Sequence, residues 1–462
     1  MSQSEVVDTA PGAADSSQDA PHRTMHKPAV YTQVVRGSVL FTVAVGIGAL
    51  GGLAYLSVAA RINAGDRSVV GAAGFLFQAL MFVNYATSMG IPVAVARFAP
   101  ANNRDVNTLF NWGLVYTAAS SLAGTVGLFV AARTIFEDQT AALFESGYAA
   151  GLALFFVLLV GQSFAILVEI RLVTMRMWGW VLTRVILVVC LRMLLFLVPS
   201  LATNPVGLLV VMAATPALSG FIGAVALHYV HPERDRAGLF PLPADSGLVL
   251  RYATVNWVAM LAAQAPQFIT PLVVGKFVDK EQYGAFFVSW TIVTVVFLIP
   301  HTVGQTVLAE GSRAHADPER QAKLGLAVAG SIMVAMTVGA YALGGVAVRL
   351  LFGEGYGLAT EILPRMVAAG VPWALTAILL ARARVYHQQL ITVLITGGFA
   401  LATLLPVSLL AATSGVPGAA NAWLIGNTVA AMFALAMATL GHRPEGSPAT
   451  AVDAEGIEVL AT

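Results

Sequence analysis

The sequence predicts an all-α polytopic membrane protein with about twelve transmembrane helices, arranged as two parallel six-helix repeats. Composition, long apolar runs and an internal repeat carry that expectation. Hydrophobic residues make up 58% of the chain and charged residues 11%, whereas soluble globules carry charge on about a quarter of their residues. Twelve apolar runs, near 38–60, 69–90, 109–132, 149–170, 178–198, 206–228, 252–275, 282–305, 324–346, 358–381, 390–412 and 416–440, are each long enough to cross about 30 Å of hydrocarbon. In the second half, Arg251 opens an apolar run that closes 25 positions on at Lys276, and a turn, Gly284, another run and Ala309-Glu310 follow. In the first half, Arg36 opens a run that closes 25 positions on at Arg61, followed by a turn, Gly71, another run and Ala96-Arg97. Gly71 to Arg97 and Gly284 to Glu310 are each 26 positions, and Phe77 and Trp290 share one offset. The pattern reads as a duplication, extended by Tyr148 and Arg176 against Tyr356 and Arg384, each pair 28 apart.

Taken in order, residues 1–35 form a disordered tail, since the leading stretch is rich in Ser, Ala, Asp and Pro without apolar period. The first run lies too far from the N-terminus to be the core of a signal peptide and reads as a spanning helix. Residues 36–228 then form the first bundle, 229–250 a linker containing Pro232, Pro241 and Pro243, 251–440 the second bundle, and 441–462 a second tail. Of the basic residues flanking the spans, 16 fall on the side of the N-terminus and six on the other: Arg61, Arg67, Arg133, Lys276, Lys280 and Arg349. The positive-inside rule places both termini in the cytoplasm of a plasma-membrane protein. Each half has an even number of spans, so the halves insert the same way round, and the cleft between them is the natural site for a ligand that must reach both faces.

Several function classes are excluded. A net charge of +1 gives no footprint for nucleic acid, and the lone Cys190 can form no internal disulfide. No Gly-Lys-Ser/Thr loop cradles a nucleotide phosphate, and the short outer loops leave no room for the folded acidic site of a lipid-dependent glycosyltransferase. Transport without an enzymatic step remains, with no cofactor or metal expected.

The segments Arg36-Gly37-Ser38 to Arg61, Ser88-Met89-Gly90-Ile91-Pro92 through Ala96-Arg97-Phe98-Ala99-Pro100, Arg251-Tyr252-Ala253-Thr254-Val255-Asn256-Trp257 through Pro300, Ala309-Glu310-Gly311-Ser312-Arg313 and Leu351-Phe352-Gly353-Glu354-Gly355-Tyr356 resemble polysaccharide-transport proteins. These are the O-antigen flippase-like branch of the multidrug, oligosaccharidyl-lipid and polysaccharide exporter superfamily. The resemblance covers most of residues 36–440 and implies a V-shaped two-bundle transporter. It implies too that a polyprenyl-diphosphate-linked oligosaccharide is moved from the inner to the outer leaflet, for cell-surface polysaccharide biosynthesis. Its partners would be the lipid-linked saccharide, membrane lipids, and glycosyltransferases or a polysaccharide polymerase.

Charged and polar groups within the spans are the site candidates, because a charge in hydrocarbon is costly unless it faces protein or water. Arg176, Arg184 and Arg192 recur at intervals of eight, a slowly turning basic ladder suited to gripping a diphosphate. The competing reading pairs Arg184 with Glu169 and lets Arg192 snorkel outward. The seventh span carries Asn256, Gln264 and Gln267, and Pro266 and Pro271 make it a hinge that lines a cavity. Asn84 on the second span and Arg365 on the tenth complete the candidate binding set, with Glu169 and His301 as candidates for ion coupling. Trp178, Trp180, Trp257, Trp290 and Trp373 are expected to mark interfaces or packing. Two other readings stay open. A cation-coupled multidrug exporter of the same superfamily would use intramembrane acids, and the first span has none. A non-transporting scaffold for polysaccharide assembly would scatter and pair its polar groups.

Overall fold

The computed structural model describes residues 27–98, 106–230, 246–312 and 317–440, and among them every regular element is helical. The first half contains α1 (Lys27–Ile62), α2 (Ser68–Thr87), α3 (Ile91–Phe98), α4 (Val106–Thr134), α5 (Glu137–Phe144), α6 (Tyr148–Thr174), α7 (Trp178–Leu195), α8 (Pro199–Ala202) and α9 (Pro205–Val230). The second contains α10 (Ser246–Phe277), α11 (Lys280–Gly311), α12 (Pro318–Phe352), α13 (Gly357–Ala368), α14 (Gly370–Val385) and α15 (Gln389–Leu440). Ten helices among the described residues are long and apolar enough to span a membrane, and α10, bent by 45° between Val249–Val258 and Met260–Phe277, makes an eleventh. The 52 residues of α15 would run about 78 Å if straight, more than twice the hydrocarbon thickness. Its backbone turns at Gly415 (φ 59°, ψ −142°), so it supplies two crossings and the total reaches twelve.

Helix starts follow from local chemistry. Asp279 caps α11 by accepting from the Gln282 N–H at 2.7 Å, and Asp317 caps α12 by accepting from the Arg320 N–H at 3.0 Å, each satisfying a donor that the first turn leaves free. The first helix begins at Lys27, inside the tail expected over 1–35. Pro28 stands in its first turn, where a missing N–H costs nothing. Residues 1–26, most of the linker expected over 229–250, and the tail 441–462 lie outside the described residues. At the described edges of that linker, α9 continues to Val230 and α10 already starts at Ser246.

In the first half α6 packs on α9, α1 on α7 and α4 on α6; in the second, α10 and α14 pack on α15 and α11 on α14. The halves meet through α2, which packs against α10 and α11, and through α3 against α10. Helix α2 is 67% buried over its most apolar window, whereas α7 and α12 are each 11% buried there. Thus α2 is the central seam, while α7 and α12 present most of their surface to the surroundings.

The duplication is visible in backbone detail. After α6, Arg176 adopts φ 57°, and after α14, His387 adopts φ 54°. In both turns the same hydrogen-bond ladder follows: Met175, Arg176 and Met177 donate to Arg171, Val173 and Leu172 carbonyls, and Tyr386, His387 and Gln388 to Arg382, Arg384 and Ala383 carbonyls. The equivalent of Arg176 is therefore His387, three residues beyond the Arg384 that spacing suggests. Gly71 and Gly284, matched by spacing, touch each other across the seam. An added Cβ on Gly71 would lie 2.8 Å from the Lys280 carbonyl carbon and 3.0 Å from the Gly284 nitrogen. Around this crossing the Arg67 end of the molecule is sealed. Arg67 binds Glu281 and the Gly355 carbonyl, Arg61 donates to the Leu351 carbonyl at 3.0 Å, and the Gln139 amide donates to the Val278 carbonyl at 2.8 Å. The Phe75 ring meets Tyr283 edge-on at 5.6 Å beneath these polar contacts.

Candidate functional site

A cavity of about 800 Å³ lies among α10, α11, α14 and α15, reaching Val93 of α3. Its chemistry is graded along its length. Towards the sealed end the wall is aromatic, with Trp290, Phe297, Trp373, Phe399 and Trp423. At the other end it carries His301, Gln305, Arg384 and Asn256, while Gln264 and Gln267, eight and eleven positions beyond Asn256 on α10, line it towards the aromatic level. Among the described residues no carboxylate lines it.

The grading has a simple helical origin. Trp290 and His301 are eleven positions apart on α11, and so are Trp373 and Arg384 on α14. Eleven residues return to within about 20° of the same face after a rise of about 16 Å. Each helix thus shows one face to the cavity, aromatic at one level and basic about 16 Å away. Among the described residues the Arg384 guanidinium has no acidic partner, and the side-chain amides of Gln264, Gln267 and Gln305 make no hydrogen bond. The Asn256 amide is tied to its own helix, donating to the Tyr252 carbonyl at 2.8 Å.

The bend in α10 lies seven residues before Pro266 and twelve before Pro271, whereas proline disturbs the turn immediately preceding it. The first segment is instead fixed by its neighbours. The Trp257 indole donates to the Ala86 carbonyl at 3.1 Å. Gly90, at φ 72°, packs so close that an added Cβ would lie 2.9 Å from the Ala253 carbonyl carbon.

The remaining sequence candidates lie elsewhere. Arg184, 5% exposed, donates to the Ala165 carbonyl at 3.1 Å and sits 3.9 Å from Glu169. Arg192 donates to the Thr215 hydroxyl at 3.2 Å and the Met212 carbonyl at 3.0 Å, with its guanidinium 5.9 Å from the Tyr55 ring centre. Because α7 is peripheral, both arginines turn inward onto α6, α9 and α1, and neither reaches the cavity. Asn84 is buried between α2 and α6, accepting from the Ser163 hydroxyl at 2.6 Å. Arg365 pairs with Glu361 at 3.3 Å on its own helix and reaches Asn421 at 3.5 Å. The structure therefore gathers Asn256, Gln264, Gln267 and His301 in one place, and sets Arg184, Arg192, Asn84, Arg365 and Glu169 apart from it. Arg384, Gln305 and Trp423 were missed. Arg384 reads from sequence as a loop charge, although its spacing from Trp373 was legible. Among the described residues no three His, Cys, Asp or Glu side chains converge as a metal site would require.

No family model matches the sequence, and no curated protein matches it. Solved structures do. An inward-facing multidrug resistance MATE family transporter of the MOP superfamily aligns with a TM-score of 0.64 at 14% identity, over 84% of this chain and 94% of that one. The lipid II flippase MurJ in its inward closed conformation aligns with 0.63 at 13% identity, over 87% of each chain. The chain has the MATE and MurJ transporter fold. A MATE structure in the bent conformation aligns with 0.56 at 16% identity, over 88% and 94%. The cavity lies chiefly within the second repeat.

Proposed function

We propose that this chain is a transporter of the MOP superfamily that moves a polyprenyl-diphosphate-linked oligosaccharide from the inner to the outer leaflet by alternating access. The observation that carries this is the cavity's charge. Among the described residues its ionisable lining groups are His301 and Arg384, with no carboxylate in the lining. A desolvated guanidinium without an acidic partner suits an anion whose oxygens it can bind in pairs. The excess of basic residues on the side of the N-terminus, 16 to six, puts the sealed Arg67 end outside. The basic level of the cavity then sits near the inner interface, where the diphosphate of a lipid-anchored substrate lies, with its prenyl tail still in lipid. Outward movement of that anion is favoured by an interior-negative potential, by about 2.3 kcal/mol per charge per 100 mV. The repeats rock, the Gly71–Gly284 seal parts, and the bent α10 takes up the change. This is a plasma-membrane protein with cytoplasmic termini, serving polysaccharide assembly alongside glycosyltransferases or a polymerase.

A cation-coupled multidrug exporter is the second reading. It is favoured by the likeness to the MATE transporters and by aromatic walls, which attract cations. Clustering of Asn256, Gln264, Gln267 and His301 in one cavity favours transport over a scaffold. The two transport readings separate on equilibrium binding to the purified full-length protein. Farnesyl diphosphate is expected to bind, farnesol to bind far more weakly, and Arg384→Ala to abolish the difference. Preferential binding of a cationic dye, insensitive to Arg384→Ala, would reverse the choice.

A further inference from the structure

The geometry points to the aromatic level of the cavity as a separate subsite for the saccharide itself, distinct from the basic level that takes the charged linker. This rests on the reading of the substrate as a diphosphate-linked saccharide. The wall is continuous: Phe297 stacks on Trp373 at 6.2 Å, Trp373 meets Phe399 at 4.8 Å, and Trp423 joins Trp290 at 4.9 Å and Phe297 at 5.7 Å.

Packing alone would explain a wall of rings, but it leaves the polar groups unexplained. The indole nitrogens of Trp373 and Trp423 are shielded from solvent, and neither has a hydrogen-bond partner among the described residues. A buried tryptophan ordinarily finds an acceptor for its N–H, and leaving one unmade costs about 1–3 kcal/mol. Two such donors stand on the wall of one cavity, with the unpartnered amides of Gln264 and Gln267 also lining it. A sugar ring answers both features, since its C–H face lies flat on an aromatic ring and its hydroxyls accept from and donate to amides. The indole N–H groups are shielded in the unliganded cavity, so they reach those hydroxyls only if the rings turn as the sugar binds.

The separation of the two levels also selects the ligand. Trp373 and Arg384 are about 16 Å apart along α14, too far for one functional group to engage both. An inorganic diphosphate would use only the basic level. A cationic dye would use only the aromatic level and would be opposed by Arg384. A linker-plus-saccharide uses both, with the linker near the inner interface and the sugars directed towards the seal.

The test uses full-length protein in lipid nanodiscs and compares calorimetric affinities for farnesyl diphosphate with those for farnesyl-diphosphate-linked chitobiose, dimannose and lactose. At least one disaccharide is expected to tighten wild-type binding about tenfold. Trp373→Phe and Trp423→Phe, which keep a ring but delete the N–H, should each lose most of that gain while binding farnesyl diphosphate as before. Gln264→Ala and Gln267→Ala, which leave the aromatic packing intact, should do the same. No gain from any sugar in the wild type, or a gain that all four variants retain, overturns the subsite. If wild type fails to bind farnesyl diphosphate yet binds free disaccharide in a Trp373- and Trp423-dependent way, the diphosphate reading fails and the subsite stands.

Discussion

Substituting Gly71 by alanine should break the seal of the Arg67 end, and the structure sets the size of the effect. The new Cβ would lie 2.8 Å from the Lys280 carbonyl carbon and 3.0 Å from the Gly284 nitrogen, where carbon contacts settle at about 3.5–4.0 Å. These are backbone atoms of the facing helix, so no rotamer change relieves the overlap. The nearest clash is with the Lys280 carbonyl oxygen, closer still, so the helices must part by about 1 Å or more. Overpacking of this kind costs about 1–3 kcal/mol, and the cost falls only on the sealed state. The ratio of open to sealed molecules should therefore rise roughly five- to 150-fold. Two controls bracket the result. Gly74→Ala meets the buried Phe287 ring, whose Cγ and Cδ1 lie 2.5 Å from the new Cβ, and because this clash loads a side chain and not the facing backbone, its shift should be smaller. Gly46→Ala meets nothing within 4 Å and should leave the equilibrium alone while gaining about 1 kcal/mol in helix propensity. The assay is the distance distribution between spin labels at Ala64→Cys and Glu354→Cys, with Cys190→Ser removing the single native thiol. A long-distance population in Gly71→Ala, weaker in Gly74→Ala and absent in Gly46→Ala, is expected. Equal distributions in all three would show that the glycine crossing does not hold the seal.

Other consequences follow from the same contacts. The Arg67–Glu281 pair is 36% and 54% exposed, so Glu281→Gln should shift the opening ratio less than about fivefold, an exposed pair contributing about 0–1 kcal/mol. Arg67→Ala should shift it further because the bond to the Gly355 carbonyl is lost as well, and the same spin-label pair reads both. Arg184→Ala should lower thermal stability without changing affinity for farnesyl diphosphate, since Arg184 packs on α6 and away from the cavity. Removing the guanidinium takes its hydrogen bond from the Ala165 carbonyl, so the loss should be about 1–3 kcal/mol. A marked fall in ligand affinity in Arg184→Ala, at unchanged stability, would return the basic ladder to the binding site.

The fold was legible because hydrocarbon permits few solutions: long apolar runs must be helices, and basic residues must flank them. Matched spacing exposed the duplication at Gly71 and Gly284, but nothing in a sequence says that two equivalent glycines touch. Polar residues on an apolar helix were an equally good guide at Asn256, Gln264 and Gln267. The guide failed at Arg184 and Arg192, because the Ala165 and Met212 carbonyls that satisfy them are invisible to residue type. It failed for the opposite reason at Arg384. A charge in the last turn of a spanning helix looks like an interfacial anchor, and only the facing of α14 turns it into a cavity wall. Trp290 and Trp373 were ambiguous in the same way, since tryptophans at interfaces, in cores and in binding sites share one composition. The bend of α10 was expected at its prolines, yet it follows the packing of Gly90 and Trp257 across the seam.

The most direct test of the account is headgroup translocation in proteoliposomes, using a fluorescent polyprenyl-diphosphate saccharide and comparing wild type with Arg384→Ala and Arg192→Ala. Translocation by wild type and Arg192→Ala, lost in Arg384→Ala at unchanged folding, is the predicted result. No translocation by wild type of any saccharide tested, together with export of a cationic dye, would contradict it.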